Sequence, residues 1–341
     1  PVIVGKRALP ALACSPPHAA LLAEADDVVM AFGTDASTVR ASGALTVGFG
    51  PCGADWDFPT PSVDPLVAQE LTETLYHVMW ELVHVFFDHR GLLGGRDERT
   101  RHDSGASSFL YPFLAETQDD LGAVLADVEA SVVAKAAEAA ALRIATLGES
   151  QEATATGDPQ GEAAAIRTAV GDGPAANAAA LAAAAEAIRG RLAGGGTLLC
   201  LGNGGSATDS ADAVADLLDP PHGWPARRGI DLAADPSILT AVANDIGTEA
   251  MFSRQVIAYG GPGDALLAFS TSGTSRSVIA ALAEARRRGL VTVAFVGYDG
   301  GQVLADELAD HVVVARSEHI PRIQEAHATA WHVLREALEE A

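Results

Sequence analysis

Aromatic residues are scarce in this chain, 5% of 341 positions, and cations are scarce relative to acids: 22 Lys and Arg against 45 Asp and Glu, a net charge of −23. No run of Lys and Arg longer than the three residues Arg286–Arg288 occurs, and no basic stripe, which argues against the clustered phosphate contacts that nucleic-acid binding needs. No apolar stretch approaches the roughly 20 residues of a membrane span, and the charged-then-apolar pattern of a secretory leader is missing. The three cysteines, Cys14, Cys52 and Cys200, stand far apart with no CxxC. Neither a disulfide framework nor a thiolate zinc site is therefore expected. These absences leave a cytoplasmic, acidic protein with no membrane and no nucleic-acid partner. What is abundant is Ala, Gly and aliphatic residue: 48% of the chain is apolar, enough to bury well-packed cores.

Two α/β-like regions flank a middle without clear strands. The first has strand-like runs at Asp27–Phe32 and Ala44–Phe49, then a helix from about Pro65 to Asp88. Gly91–Ser108 and Gly148–Gly161 read as polar, glycine-containing breaks. Asp119–Leu147 carries apolar residues at three-four spacing and reads as a helix, and the Ala-rich Ala175–Leu192 reads as another. From Thr197 the alternation becomes regular, with strands at Thr197–Leu201, Ala265–Phe269, Val291–Val296 and His311–Val314 separated by helices such as Ser275–Arg288. Such β-α alternation predicts a doubly wound parallel sheet, flavodoxin-like, sandwiched by helices on both faces. The domain limits that follow are 1–95, a linker over 96–118, and 119–341.

The chain also echoes itself. "QELTETLYHVMWE" (Gln69–Glu81) and "QEAHATAWHVLRE" (Gln324–Glu336) share Gln-Glu, a His eight residues after the Gln, and a closing Glu. Upstream, "VVMAFGTDAST" corresponds to "LLAFSTSGTSR", and "ALTVGFG" to "LVTVAFVG". The shared order predicts that the N-terminal region is a truncated repeat of the C-terminal domain, without its glycine loop.

Two loops follow predicted strands, where open α/β sheets bind ligands. One is "GNGGS" (Gly202–Ser206); the other is "STSGTSRS" (Ser270–Ser277). Neither holds a lysine, so neither is a Walker-type nucleotide loop, and GNGGS lacks the GxGxxG spacing of dinucleotide binders. Ser270, Thr271, Ser272 and Ser275 can turn hydroxyl and backbone donors on one anion, aided by the helix N-terminus that follows. That arrangement suits a single phosphate on a small molecule; an ordinary capping turn is the plain alternative for either loop alone.

"GNGGSATD", "AVANDIG" (Ala241–Gly247), "FSRQV" (Phe252–Val256), "STSGTS" and "RIQEAHATAWHVL" (Arg322–Leu334) occur in an order that resembles the sugar isomerase (SIS) family, and within it the phosphoheptose isomerase branch, over about Asp127–Ala341. The resemblance implies an aldose–ketose isomerase that converts sedoheptulose 7-phosphate to a heptose 7-phosphate through an enediol, acting as a homodimer or larger homo-oligomer. It implies that Ser270, Thr271, Ser272 and Ser275 hold the phosphate, that Asn203, Gly204 and Ser206 contact the sugar or its phosphate, and that Asp245 meets a hydroxyl. Gln324 and His332, eight residues apart on one helix, would project into the site on one face. An imidazole suits proton transfer because it titrates near neutrality.

The sequence departs from that pattern at four places. The branch carries a histidine and, four residues later, a glutamate used as base; here those positions are Asp212 and Asp216. Asp216 keeps a carboxylate but is one methylene shorter, so Asp216, His332 and Gln324 become the catalytic candidates. Pro220 replaces an expected arginine, which predicts an early helix end at "LLDPPHGWP", and Pro321 replaces an expected aspartate. No cofactor is required; a zinc ion, which some relatives hold, would have Asp212, Asp216, Gln324 and His332 as its ligands. Gln69, Glu73 and His77 of the N-terminal copy could contribute to a site, though a scaffold role is the simpler expectation. Two rival readings stand beside the enzyme: a sugar-phosphate sensor without turnover, and an assembly factor.

Overall fold

The computed structural model describes residues 12–88, 121–147 and 173–339, which divide into two compact units, Pro1–Val132 and Val133–Ala341. The breaks expected at 91–108 and 148–161, and the linker at 96–118, lie outside the described residues.

The first unit contains α1 (Pro16–Leu22), β1 (Val28–Phe32), α2 (Ser37–Arg40), β2 (Leu45–Phe49), β3 (Trp56–Phe58) and α3 (Pro65–Asp88). Its strands form a parallel sheet in the order β1-β2-β3. Phe32 and Phe49, from adjacent strands, stack at 4.6 Å, and Tyr76 of α3 meets both rings edge-on.

The second unit begins within α4 (Leu121–Leu147) and continues with α5 (Gly173–Ala193), β4 (Leu198–Gly202), α6 (Gly205–Leu218), β5 (Gly229–Asp231), α7 (Pro236–Asp245), α8 (Ser253–Tyr259), β6 (Ala265–Ser270), α9 (Arg276–Arg287), β7 (Val291–Gly297), α10 (Gly301–Ala305), β8 (His311–Ala315) and α11 (Ile320–Ala337). Its sheet is wholly parallel, in the order β5-β4-β6-β7-β8. Parallel strands buried on both faces read as continuous apolar runs rather than alternating ones, which is why four of the five were legible. Leu198, Cys200, Leu267, Phe269, Val293 and Phe295 point into one layer with residues of α5, α6 and α11. Their neighbours Leu199, Leu201, Leu266, Ala268 and Val296 point into the other, against α8, α9 and α10. Each large apolar side chain so buried contributes about 1.5–3 kcal/mol relative to exposure. The edge strand β8 is closed by a side chain: Val314 N–H donates to Asn177 Oδ1 (2.9 Å), and Asn177 Nδ2 donates back to Val314 O (3.0 Å). That blunts an edge open to foreign pairing.

The two units use the same hydrogen bonds. In the second, Thr292 N–H and Oγ1–H donate to Asp310 Oδ2 (2.9 and 2.8 Å) while Asp310 N–H donates to Thr292 Oγ1 (3.0 Å). In the first, Thr46 and Asp55 make the same three bonds at 3.0, 2.9 and 2.8 Å. Each threonine is the second residue of its strand, and each aspartate immediately precedes the next strand. Asp27 before β1 and Asp264 before β6 match likewise: each carboxylate accepts from the N–H three residues earlier, and each carbonyl accepts from the first residue of the neighbouring strand. Arg40 and Arg286, at the ends of α2 and α9, reach Asp55 and Asp310 at 2.6 and 3.9 Å. What differs is what lies between. The Thr–Asp pair spans 9 residues in the first unit and 18 in the second, which has room for α10. A four-residue α2 stands where the second unit has the twelve-residue α9.

Candidate functional site

The strand order creates the site. From β4 the chain passes to β5 on one side and then to β6 on the other, so the two chains leave the carboxyl ends of β4 and β6 in opposite directions. A crevice opens at such a switch point, and both glycine- and serine-rich loops stand there. The strand that makes this possible, β5, went unseen in the sequence. It is three residues long, "GID", and has no apolar run of its own.

The two loops are tied together. Asn203 Nδ2 donates to Ser275 Oγ (2.8 Å) and Ser277 Oγ (3.0 Å). Within the second loop, Ser270 Oγ accepts from Gly273 N–H (3.2 Å), and Ser272 Oγ accepts from Thr274 N–H and Oγ1–H. Several of the hydroxyls singled out from sequence therefore shape the turn as well as lining it. Gly273 has φ +61°, and a Cβ there would lie 2.2 Å from the Gly300 carbonyl oxygen, so the turn accepts no larger residue. Ser275 occupies the N-cap position of α9, whose first N–H groups stand at the loop with the positive end of the helix dipole. Ser206 is buried in the first turn of α6. Thr271 lies at the half-buried start of the loop. Gly204 is the N-cap of α6, with φ +59°. Asp245 is exposed at the end of α7, where Asn244 Nδ2 donates to its Oδ1 (2.8 Å).

Helix α11 connects these loops to the acid–base candidates. Gly205 is needed for close approach: a Cβ would lie 2.2 Å from Gln324 Nε2, so the Gln324 amide rests directly on the glycine turn. Further along α11, His332 Nε2 is 3.9 Å from Asp216 Oδ2. The two helices thus meet twice, Gln324 at the first residue of α6 and His332 at its last turns. Asp216 is 9% exposed and His332 4%. Burial pushes the Asp216 carboxyl above the usual aspartate range; a hydrogen bond from Trp331 and the charges of His332 and Arg335 partly oppose this. Trp331 Nε1–H donates to Asp216 Oδ2 at 2.8 Å, and Arg335 Nε–H donates to the Asp216 carbonyl oxygen at 3.3 Å. Arg335 is itself buried, its guanidinium 4.8 Å over the Trp224 ring, and it pairs with Glu339, which Arg227 also holds.

Helix α6 ends at Leu218, and Asp219 closes it before Pro220, as the proline pair predicted. Pro321 falls in the first turn of α11, where the absent N–H matters little. Asp212, one turn before Asp216, is exposed while Asp216, Gln324 and His332 are buried. Among the described residues no group of three or more His, Cys, Asp or Glu is placed to hold a metal ion. One aspartate, one imidazole and an amide make a weak zinc donor set. Gln69, Glu73 and His77 occupy one side of α3 in the first unit, each half-buried.

Sequence reasoning missed Trp331 and Arg335, both on the α11 face that meets α6. The other histidine of α11, His327, was not among the candidates. His327 is 1% exposed with Phe269 and Phe295 both about 6 Å away, and burial pushes it down to about 4. It is a core residue that stays neutral.

Residues 162–297 match the SIS domain family. Over 158 residues the chain is 45% identical to a phosphoheptose isomerase of Bradyrhizobium sp. (strain ORS 278), spanning 46% of this chain and 79% of that protein. It is 45% identical over 166 residues to a phosphoheptose isomerase of Roseiflexus sp. (strain RS-1), spanning 47% and 80%. Among solved structures, the phosphoheptose isomerase of Neisseria gonorrhoeae is 33% identical with a TM-score of 0.45, over 48% of this chain and 86% of that one.

Proposed function

Because the chain belongs to the phosphoheptose isomerase family, we propose that it isomerises a seven-carbon sugar phosphate, interconverting sedoheptulose 7-phosphate and an aldoheptose 7-phosphate. The observation that carries this reading is the Asp216–His332 pair, 3.9 Å apart across α6 and α11, the same two helices that meet at the glycine turn through Gly205 and Gln324. Aldose–ketose isomerisation moves one proton between adjacent carbons and others between their oxygens. Asp216 is the carbon base: its raised pKa makes it a stronger base than an exposed aspartate. His332 serves the carbonyl and hydroxyl oxygens, and Gln324 orients the substrate from the glycine turn.

The α9 N-terminus and the loop N–H groups hold the phosphate, with Thr271, Ser272 and Ser275, in a crevice that Asn203 keeps closed on one side. The first unit reads as a truncated copy that has lost this apparatus. The recurrence of the Thr46–Asp55 and Thr292–Asp310 bonds supports that reading. Asp35, the counterpart of Ser272 in the echo, brings a negative charge where a phosphate would have to lie. The copy serves as scaffold over about 1–95, with the isomerase domain over 119–341. The reading includes a cytoplasmic homodimer or larger homo-oligomer. It is supported by α7, none of whose residues is buried, and by Ile246 beyond it, 59% exposed. Among the described residues no helix is long and apolar enough to cross a membrane.

The test is incubation with sedoheptulose 7-phosphate, followed for aldose product, with wild type, Asp216→Ala and His332→Ala. Turnover by wild type and its loss in both variants supports the enzyme. Saturable thermal stabilisation by the sugar phosphate without turnover by wild type would replace it with a sensor.

A further inference from the structure

We propose that Trp331 is a positioning residue for the isomerisation, holding one oxygen of the Asp216 carboxylate so that the other is the oxygen that takes the proton. The proposal rests on the isomerase reading above and goes one step further, to a residue that does not touch the reacting atoms.

The two carboxylate oxygens are not equivalent. Oδ2 accepts the indole N–H of Trp331 at 2.8 Å and is the oxygen 3.9 Å from His332 Nε2. No other side-chain hydrogen bond from the described residues reaches this carboxylate; the Arg335 Nε–H is directed at the backbone carbonyl instead. An aspartate carboxylate on a helix turns readily about its last torsion, whose energy profile is broad and two-fold. An indole N–H is a donor only and has one direction. Trp331 is also immobile: it is 2% exposed and wedged in the apolar layer with Ala213, Leu217 and Leu334. A rigid donor on one oxygen fixes the plane of the carboxylate, and it frees Oδ1 for work at one angle.

The charged groups around Asp216 leave this role to the tryptophan. From α11, His332 approaches at 3.9 Å and Arg335 reaches the backbone carbonyl; on α6 itself Asp212 stands one turn earlier, exposed. Of these, none donates to the carboxylate. A side chain one methylene shorter than the glutamate that its relatives are expected to carry has less reach. An orienting donor compensates by removing the disorder that reach would otherwise have to absorb.

The experiment replaces Trp331 by phenylalanine in the full chain, keeping a ring of similar shape and removing the N–H. With sedoheptulose 7-phosphate, kcat should fall about 10- to 100-fold with KM within about twofold. A folded Trp331→Phe with unchanged kcat, or with kcat lowered only in step with a raised KM, overturns the proposal. A second measurement does not depend on that variant folding or on turnover. The indole ¹⁵N–¹H resonance of Trp331 in wild type should move upfield in Asp216→Ala; an unmoved resonance overturns the tether. A wild type without turnover whose indole still responds to Asp216→Ala ends the isomerase reading and the catalytic role together, while leaving the contact real. An active wild type with an indifferent indole ends this inference alone.

Discussion

Asn203 Nδ2 lies 2.8 Å from Ser275 Oγ and 3.0 Å from Ser277 Oγ, so the loop that leaves β4 is fastened to the first turn of α9. The crevice between β4 and β6 is set before a ligand arrives. Replacing Asn203 by alanine removes two hydrogen bonds of about 1 kcal/mol each and frees the loop. The sugar-phosphate KM should rise about tenfold or more, since 1.4 kcal/mol is a factor of ten, with only a small change in melting temperature. Steady-state kinetics and a ligand-dependent thermal shift measure both.

Asp216 should be expensive for stability and essential for rate. Its folded pKa is raised above the unfolded value, chiefly by burial. Ionised Asp216 is thus disfavoured in the folded state, and the folded protein gains stability as pH falls from the raised pKa towards the unfolded one. Asp216→Asn should leave the melting temperature at neutral pH unchanged or higher. It should lower kcat about 10²- to 10⁴-fold, the range of a general base. In wild type the acid limb of the rate profile should lie above the ordinary aspartate pKa of about 3.9.

His327 carries the opposite sign. Its folded pKa, about 4, lies below the unfolded value near 6.5. Stability is fully retained above pH 6.5 and is lost as pH falls towards 4, by up to about 3 kcal/mol. Urea unfolding of the wild type and of His327→Phe at several pH values should show that slope in the first and a flatter profile in the second. A His327→Phe variant with the same acid slope would place the titrating group elsewhere.

Thr46→Val and Thr292→Val test whether the two units are built alike. Each removes a hydroxyl that donates to an aspartate and accepts from its N–H. Each should cost about 1–3 kcal/mol through the unpaired groups left behind, read locally by amide hydrogen exchange of Asp55 and Asp310. If the Thr292 variant loosens and the Thr46 variant does not, the echo in sequence does not extend to a shared design.

The sheet was legible because parallel strands buried on both faces are unbroken apolar runs, as at Thr197–Leu201 and Val291–Val296. What escaped was short or atypical: β5 is "GID", β3 is "WDF" with every residue exposed, and neither has a pattern to read. The spacing of Gln324 and His332 correctly put both on the face of α11 that meets α6. Spacing could not show that His327, also on that helix, is sealed against Phe269 and Phe295. Nor could it show that Asn203 is spent on fastening two loops. Trp331 was invisible as a functional residue because its role depends on the rotamer of a side chain 115 positions away. Such pairings are written in packing, not in local pattern.

The central claim is that Asp216 moves a proton between adjacent carbons of the sugar phosphate. The direct measurement is isomerisation of sedoheptulose 7-phosphate in deuterium oxide, followed by proton NMR. The account predicts aldose product with deuterium at C2 for wild type, and both product formation and exchange slowed together by about 10²- to 10⁴-fold in an Asp216→Asn protein that still binds the sugar phosphate. Aldose formation at the wild-type rate in Asp216→Asn, or a wild type that binds the sugar phosphate yet neither exchanges protons nor forms aldose, would contradict it.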